Sequence, residues 1–170
     1  MAAISNHIIF GPCHNLTTYS AAMPSAVTSV PPETVAALEA VVQEHMAKYD
    51  PSHDWLHVQR VRRMALRLAD AEAARGRTLD RNLVDLAALL HDIGDVKYAR
   101  PGETAAGLLS RILAEHGLPR NVIDRVVTIV ENVSFRKELE NRERGIKHAL
   151  VELDCVQDAD RLDAIGAIGV

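Results

Sequence analysis

The sequence predicts an all-α domain of about six helices, from the spacing of apolar residues, the absence of alternating strand patterns and the punctuation by Gly and Pro. Beyond residue 31, apolar residues recur at steps of three and four, and no segment reads as a strand. At 170 residues, with 48% hydrophobic and 25% charged, the chain is long enough for one domain with its own core. Residues 1–31, rich in Ala, Ser, Thr and Pro, read as a flexible N-terminal tail, and 32–170 as the folded domain.

Each element follows from its own stripe. After Pro31-Pro32, residues Val35, Leu38, Val42 and Met46 mark a first helix that ends near Asp50-Pro51. Ser52 is placed to cap the second, with Asp54 in its first turn, and His57, Val61, Met64, Leu68 and Ala71 share one face as far as Gly76. The third runs through Leu83, Val84, Leu86, Ala87, Ala88, Leu89 and Leu90, apolar on almost every side, and ends in His91-Asp92-Ile93-Gly94. Ala105, Leu108, Leu109 and Ile112 make a fourth helix that closes at Gly117. Val122, Val126, Ile129, Val130 and Val133 make the fifth. A polar loop is expected from Ser134 to Gly145, then a sixth helix through Ile146, Ala149, Leu150, Leu153 and Val156, with Asp160 on its inward face.

Net charge is −4 and the cations are scattered, so no field for long nucleic acid is built in. Cys13 and Cys155 support neither a disulfide framework nor a thiolate zinc site, and a reducing, cytoplasmic setting fits best. No apolar run approaches the roughly 20 residues that span a bilayer.

Inward-facing polar residues carry the chemistry. His57, His91 with Asp92, and Asp160 sit on three different helices. One buried histidine is ordinary, but a buried carboxylate must be paired or bound to metal. Two imidazoles and two carboxylates from separate helices would form a neutral site with a divalent cation and leave coordination positions for water and substrate. Asp163, three residues past Asp160, is the substitute ligand if the register slips by a turn. His53-Asp54 reads as a helix start, Asp158 and Asp154 as solvent-facing, and His116 as a helix end. His45, His148, His7 and His14 read as exposed.

The phrases H-D-W-L-H-V-Q-R-V around His57, L-L-H-D-I-G-D around His91-Asp92 and V-Q-D-A-D-R-L-D-A-I-G-A around Asp160 resemble the HD-domain superfamily of metal-dependent phosphohydrolases, with its H…HD…D pattern. The wording is similar to the small stand-alone HD hydrolases, a subgroup that includes nucleotide pyrophosphatases, and Asn132-Val133-Ser134-Phe135 resembles that subgroup's Ser-Phe segment. The resemblance covers about residues 33–170. It implies an HD helical bundle lacking the usual C-terminal helices, with His57, His91, Asp92 and Asp160 as metal ligands. It also implies hydrolysis of a nucleotide phosphoester or phosphoanhydride by a metal-activated water. Mn2+ is the expected ion, with Fe2+, Co2+, Ni2+ and Mg2+ as alternatives. Asp95, one turn past His91, is expected to act as general base or to orient that water. Arg60, Lys97, Lys137 and Arg161, with Arg136 beside them, are the cations expected to meet substrate phosphate. The partner is then a small phosphorylated substrate, a nucleotide, with neither membrane nor long nucleic acid involved. The alternatives are a non-catalytic HD-type nucleotide-sensing module and a helical interaction protein with a hydrogen-bonded polar core.

Overall fold

A computed structural model describes residues 29–47, 54–93, 102–143 and 150–165. Seven helices are found among the described residues: α1 (Pro32–Met46), α2 (Trp55–Ala74), α3 (Arg81–Leu90), α4 (Ala105–Glu115), α5 (Arg120–Asn132), α6 (Phe135–Glu143) and α7 (Val151–Ile165). The all-α class is as expected. The expected tail, apart from its last residues, lies outside the described residues, as do His53, His148, Asp95 and Lys97.

Local chemistry sets most boundaries. Pro32 occupies the first position of α1, where a missing N–H costs nothing. Asp54, expected within the first turn of α2, is its N-cap, and its carboxylate accepts the His57 backbone N–H at 2.8 Å. Gly76 (φ 83°) and Gly117 (φ 77°) end α2 and α4 in the left-handed conformation. There the N–H groups of Arg77 and Leu118 reach back to the carbonyls of Glu72 and Leu113, both at 3.1 Å. Asp80 caps α3, accepting from the N–H groups of Asn82 and Leu83.

The polar loop expected from Ser134 to Gly145 is instead helical over Phe135–Glu143. Its sequence offers almost no apolar stripe. Spaced charges support it, Arg136 and Lys137 both pairing with Glu140, and Ser134 Oγ accepts the Lys137 N–H at 3.3 Å. The expected sixth helix is therefore α7, described from Val151 onward. His45, expected at the surface, is buried: it lies three residues beyond Val42 on the inward stripe of α1.

α3 is the hub. Seven of its residues are buried, and it packs against α1, α2, α5 and α7, while α2 lies along both α3 and α7. Two ion-pair networks pin these contacts. Arg62 of α2 joins Glu39 of α1 to Asp85 of α3, and Arg125 of α5 joins the buried Asp80 and Glu152 at 3.1 and 3.3 Å. They tie the middles of α1, α2 and α3 together, and the start of α3 to α5 and to the start of α7.

Candidate metal centre

His57 lies one turn into α2, His91 is the residue that closes α3, and Asp160 lies on α7. One ligand atom from each lies within 4.8 Å of the other two. The two imidazole Nε2 atoms are 3.2 Å apart, with ring centroids 5.3 Å apart and planes at 60°. Asp92 Oδ2 stands 3.5 Å from both Nε2 atoms, and Asp160 Oδ1 stands 3.5 Å from that of His57 and 3.8 Å from that of His91. The fold thus brings together the four side chains read from the sequence.

The far side of each ring decides what these atoms can do. His91 Nδ1 lies 2.9 Å from the Ala88 carbonyl, one of the last carbonyls of α3, which lack a helical partner. A carbonyl only accepts, so that nitrogen carries a proton, and the neutral form of the ring turns a lone-pair Nε2 to the cluster. His57 Nδ1 lies 2.8 Å from Asp163 Oδ2, also an acceptor, so the neutral form of this ring likewise turns a lone-pair Nε2 to the cluster. In those neutral forms two nitrogen lone pairs and two carboxylates face one another at short range. Asp92 Oδ2 is buried without a hydrogen-bond partner. Such an arrangement is repulsive by itself and is satisfied by a cation, so the donor set fits a first-row divalent ion.

Asp163 does not take the ligand position considered for it. It faces the back of His57 and also accepts from Arg60 through both oxygens, at 2.7 and 2.9 Å. The Arg60 guanidinium, and after it His57, holds the Asp163 carboxyl below the usual carboxylate range. Arg60, expected to meet phosphate, is thus engaged within the protein. Lys137 pairs with Glu140 on exposed α6, and Arg161 pairs with Glu138. Arg161 and Glu138 also line a separate cavity of about 320 Å³ beside the C-terminal half of α2, with Leu68, Glu72 and Cys155. In the Ser-Phe segment, Ser134 starts α6, and the Asn132 carbonyl accepts from Gln157 of α7 at 2.8 Å. Asp154 and Asp158 are exposed, as their register requires, and His116 closes α4 with Nδ1 on the Ile112 carbonyl at 2.8 Å.

The HD-domain family model matches residues 55–165, spanning all four convergent side chains. The chain belongs to the HD-domain family. This HD domain is 37% identical over 130 residues to the protein YpgQ of Bacillus subtilis, covering 76% of this chain and 59% of YpgQ. The crystal structure of Bacillus subtilis YpgQ in complex with ADP is similar with a TM-score of 0.56 at 32% identity, covering 79% of this chain and 62% of that one. An HD-superfamily hydrolase from Bacillus thuringiensis is similar with a TM-score of 0.58 at 30% identity, covering 81% of this chain and 61% of that one. The chain spans about three-fifths of the length of these relatives. Among the described residues, no helix is long and apolar enough to cross a membrane.

Proposed function

We propose that this HD domain is a metal-dependent phosphohydrolase that cleaves a phosphoester or phosphoanhydride bond of a nucleotide. The observation that carries this reading is the convergence of the His57 and His91 Nε2 atoms on Asp160 and on the buried Asp92 Oδ2, which accepts no hydrogen bond. His57, His91, Asp92 and Asp160 would hold the ion, Mn2+ in the first instance. A divalent ion bound there supplies an acidified water and a polarised phosphoryl oxygen.

The protein's own residues do the rest. Two carboxylates offset the dication, and the two neutral rings add donor strength without further charge. Asp92 and Asp160 retain partial exposure, 24% and 34% of their side chains, so the cluster opens toward solvent where a phosphate must enter. Asp95, three residues past Asp92 in sequence, is proposed as the base that takes the attacking water's proton. Lys97, Lys137 and Arg161 remain the proposed phosphate contacts, with a change of partner required for the latter two. The nucleotide assignment draws support from YpgQ, whose crystal structure is described in complex with ADP.

The test is turnover. Purified chain with Mn2+ is incubated with a panel of nucleoside mono-, di- and triphosphates, and products are separated by ion-exchange chromatography. Hydrolysis that needs Mn2+ and disappears in Asp92→Ala supports the assignment. Metal-dependent nucleotide binding with no turnover of any member would assign a sensing module instead.

A further inference from the structure

We propose that Asp163, locked in place by Arg60, is a positioning residue that fixes the tautomer and ring angle of His57 so that Nε2 faces the cluster. The functional meaning of this inference rests on the metal reading above. Its geometric basis is independent of it.

A histidine ring has two nitrogens, and its fold position alone does not decide which one is bare. At His91 the decision is local, made by the Ala88 carbonyl three residues back in the same helix. At His57 it is made across the fold, by a carboxylate 106 residues away in sequence on α7. That carboxylate is itself oriented. Arg60 Nε donates to Oδ1 and Arg60 Nη2 donates to Oδ2, the planar two-pronged geometry in which guanidinium and carboxylate fix each other's rotation. Arg60 lies three residues after His57 on α2, so ring and guanidinium share a face and meet the same carboxylate. Asp163 likewise lies three residues after Asp160. This ion pair lies in the α2 to α7 interface and fits the register that brings Asp160 within 3.5 Å of His57 Nε2. The Asp163 side chain is only 14% exposed and Arg60 22%, so water competes little for either group. Removing the carboxylate would free the ring to rotate and to carry its proton on Nε2, the atom the cluster needs bare.

The experiment uses the full chain and needs no turnover. Mn2+ affinity is measured by titration calorimetry for wild type, Asp163→Ala and Arg60→Met. The His57 tautomer is read in metal-free protein from long-range 1H–15N spectra, assigned with His57→Gln. Asp85→Asn, which breaks the comparable Arg62 pair between α2 and α3, serves as the control for lost packing. Asp163→Ala is expected to weaken Mn2+ binding about 10- to 100-fold, as for other partners of metal-bound histidines, and to move the proton to Nε2. Arg60→Met is expected to give a smaller loss in the same direction, and it carries the test if Asp163→Ala does not fold. Asp85→Asn is expected to lower the melting temperature with Mn2+ affinity unchanged. Folded Asp163→Ala with wild-type Mn2+ affinity and an unmoved tautomer would overturn the proposal. A wild type that binds no Mn2+, beside a variant whose His57 tautomer has shifted, would refute the metal reading and uphold the positioning role.

Discussion

Replacing Asp92 by Asn should stabilise the metal-free protein while weakening its hold on metal, a reversal that an ordinary buried polar residue would not give. Asp92 Oδ2 is buried, lacks a hydrogen-bond partner, and faces two imidazole nitrogens at 3.5 Å. An amide of the same shape removes one negative charge and can donate to either Nε2. An unsatisfied buried acceptor costs about 1–3 kcal/mol, so Asp92→Asn should recover roughly that amount. For a chain of 170 residues this corresponds to a rise of about 2–12 °C in melting temperature. Mn2+ closes or reverses the gap. At a concentration 100 times its dissociation constant, a ligand stabilises the folded state by about 2.7 kcal/mol. A variant that binds ~100-fold more weakly gains only ~0.4 kcal/mol at the same concentration. The assay is thermal and urea unfolding of both proteins in chelator and in excess Mn2+. Asp92→Asn melting below wild type in chelator, or gaining as much as wild type from Mn2+, would refute the reasoning.

Other perturbations probe the scaffold. Leu90→Ala removes a fully buried side chain next to His91 and should cost about 2–5 kcal/mol in urea unfolding, with weaker Mn2+ binding because the end of α3 shifts. Arg125→Met leaves the buried Asp80 and Glu152 uncompensated. The full penalty for breaking a buried pair is about 3–5 kcal/mol, and a loss of about 2–3 kcal/mol is expected since the Arg125 side chain is 25% exposed. Burial pushes the Cys155 thiol up to about 11, so native protein at pH 7.5 should alkylate far more slowly at Cys155 than urea-unfolded protein, as read by mass spectrometry of that peptide. Because that value is raised on folding, stability from this group is intact below the unfolded thiol's value, about 8.5, and falls as pH rises toward 11; Cys155→Ala should flatten this alkaline limb.

The sequence exposes those features whose cause is local or periodic. The buried α3, the stripe that turns His57 inward and the seven-residue step from Leu153 to Asp160 follow from helical geometry, and the structure brings these groups together. The capping of α3 by Asp80 and the glycine ends of α2 and α4 obey equally local rules. α6 shows no apolar stripe in the sequence because its support comes from charge pairs and a serine cap, and the spacing of Arg136 to Glu140 is its sequence signal. His45 has no partner at ligand spacing in the sequence, yet its step of three from Val42 puts it on the inward stripe of α1, and that position decides its burial. The pairing of Arg60 and His57 with Asp163 and of Arg125 with Asp80 and Glu152 joins residues far apart in the chain, and no periodicity reports such partners. Asp163, three residues past Asp160, shares its inward face, and spacing alone does not distinguish a candidate ligand from a partner of His57 Nδ1.

The central claim is that His57, His91, Asp92 and Asp160 close around one cation through the two Nε2 atoms. Anomalous diffraction from Mn2+-soaked crystals tests it directly. The account predicts one strong peak per chain, within coordination distance of both Nε2 atoms and of an oxygen from each carboxylate. Saturating Mn2+ that leaves this point empty, or a peak held through Nδ1 with Asp163 as ligand, would contradict it.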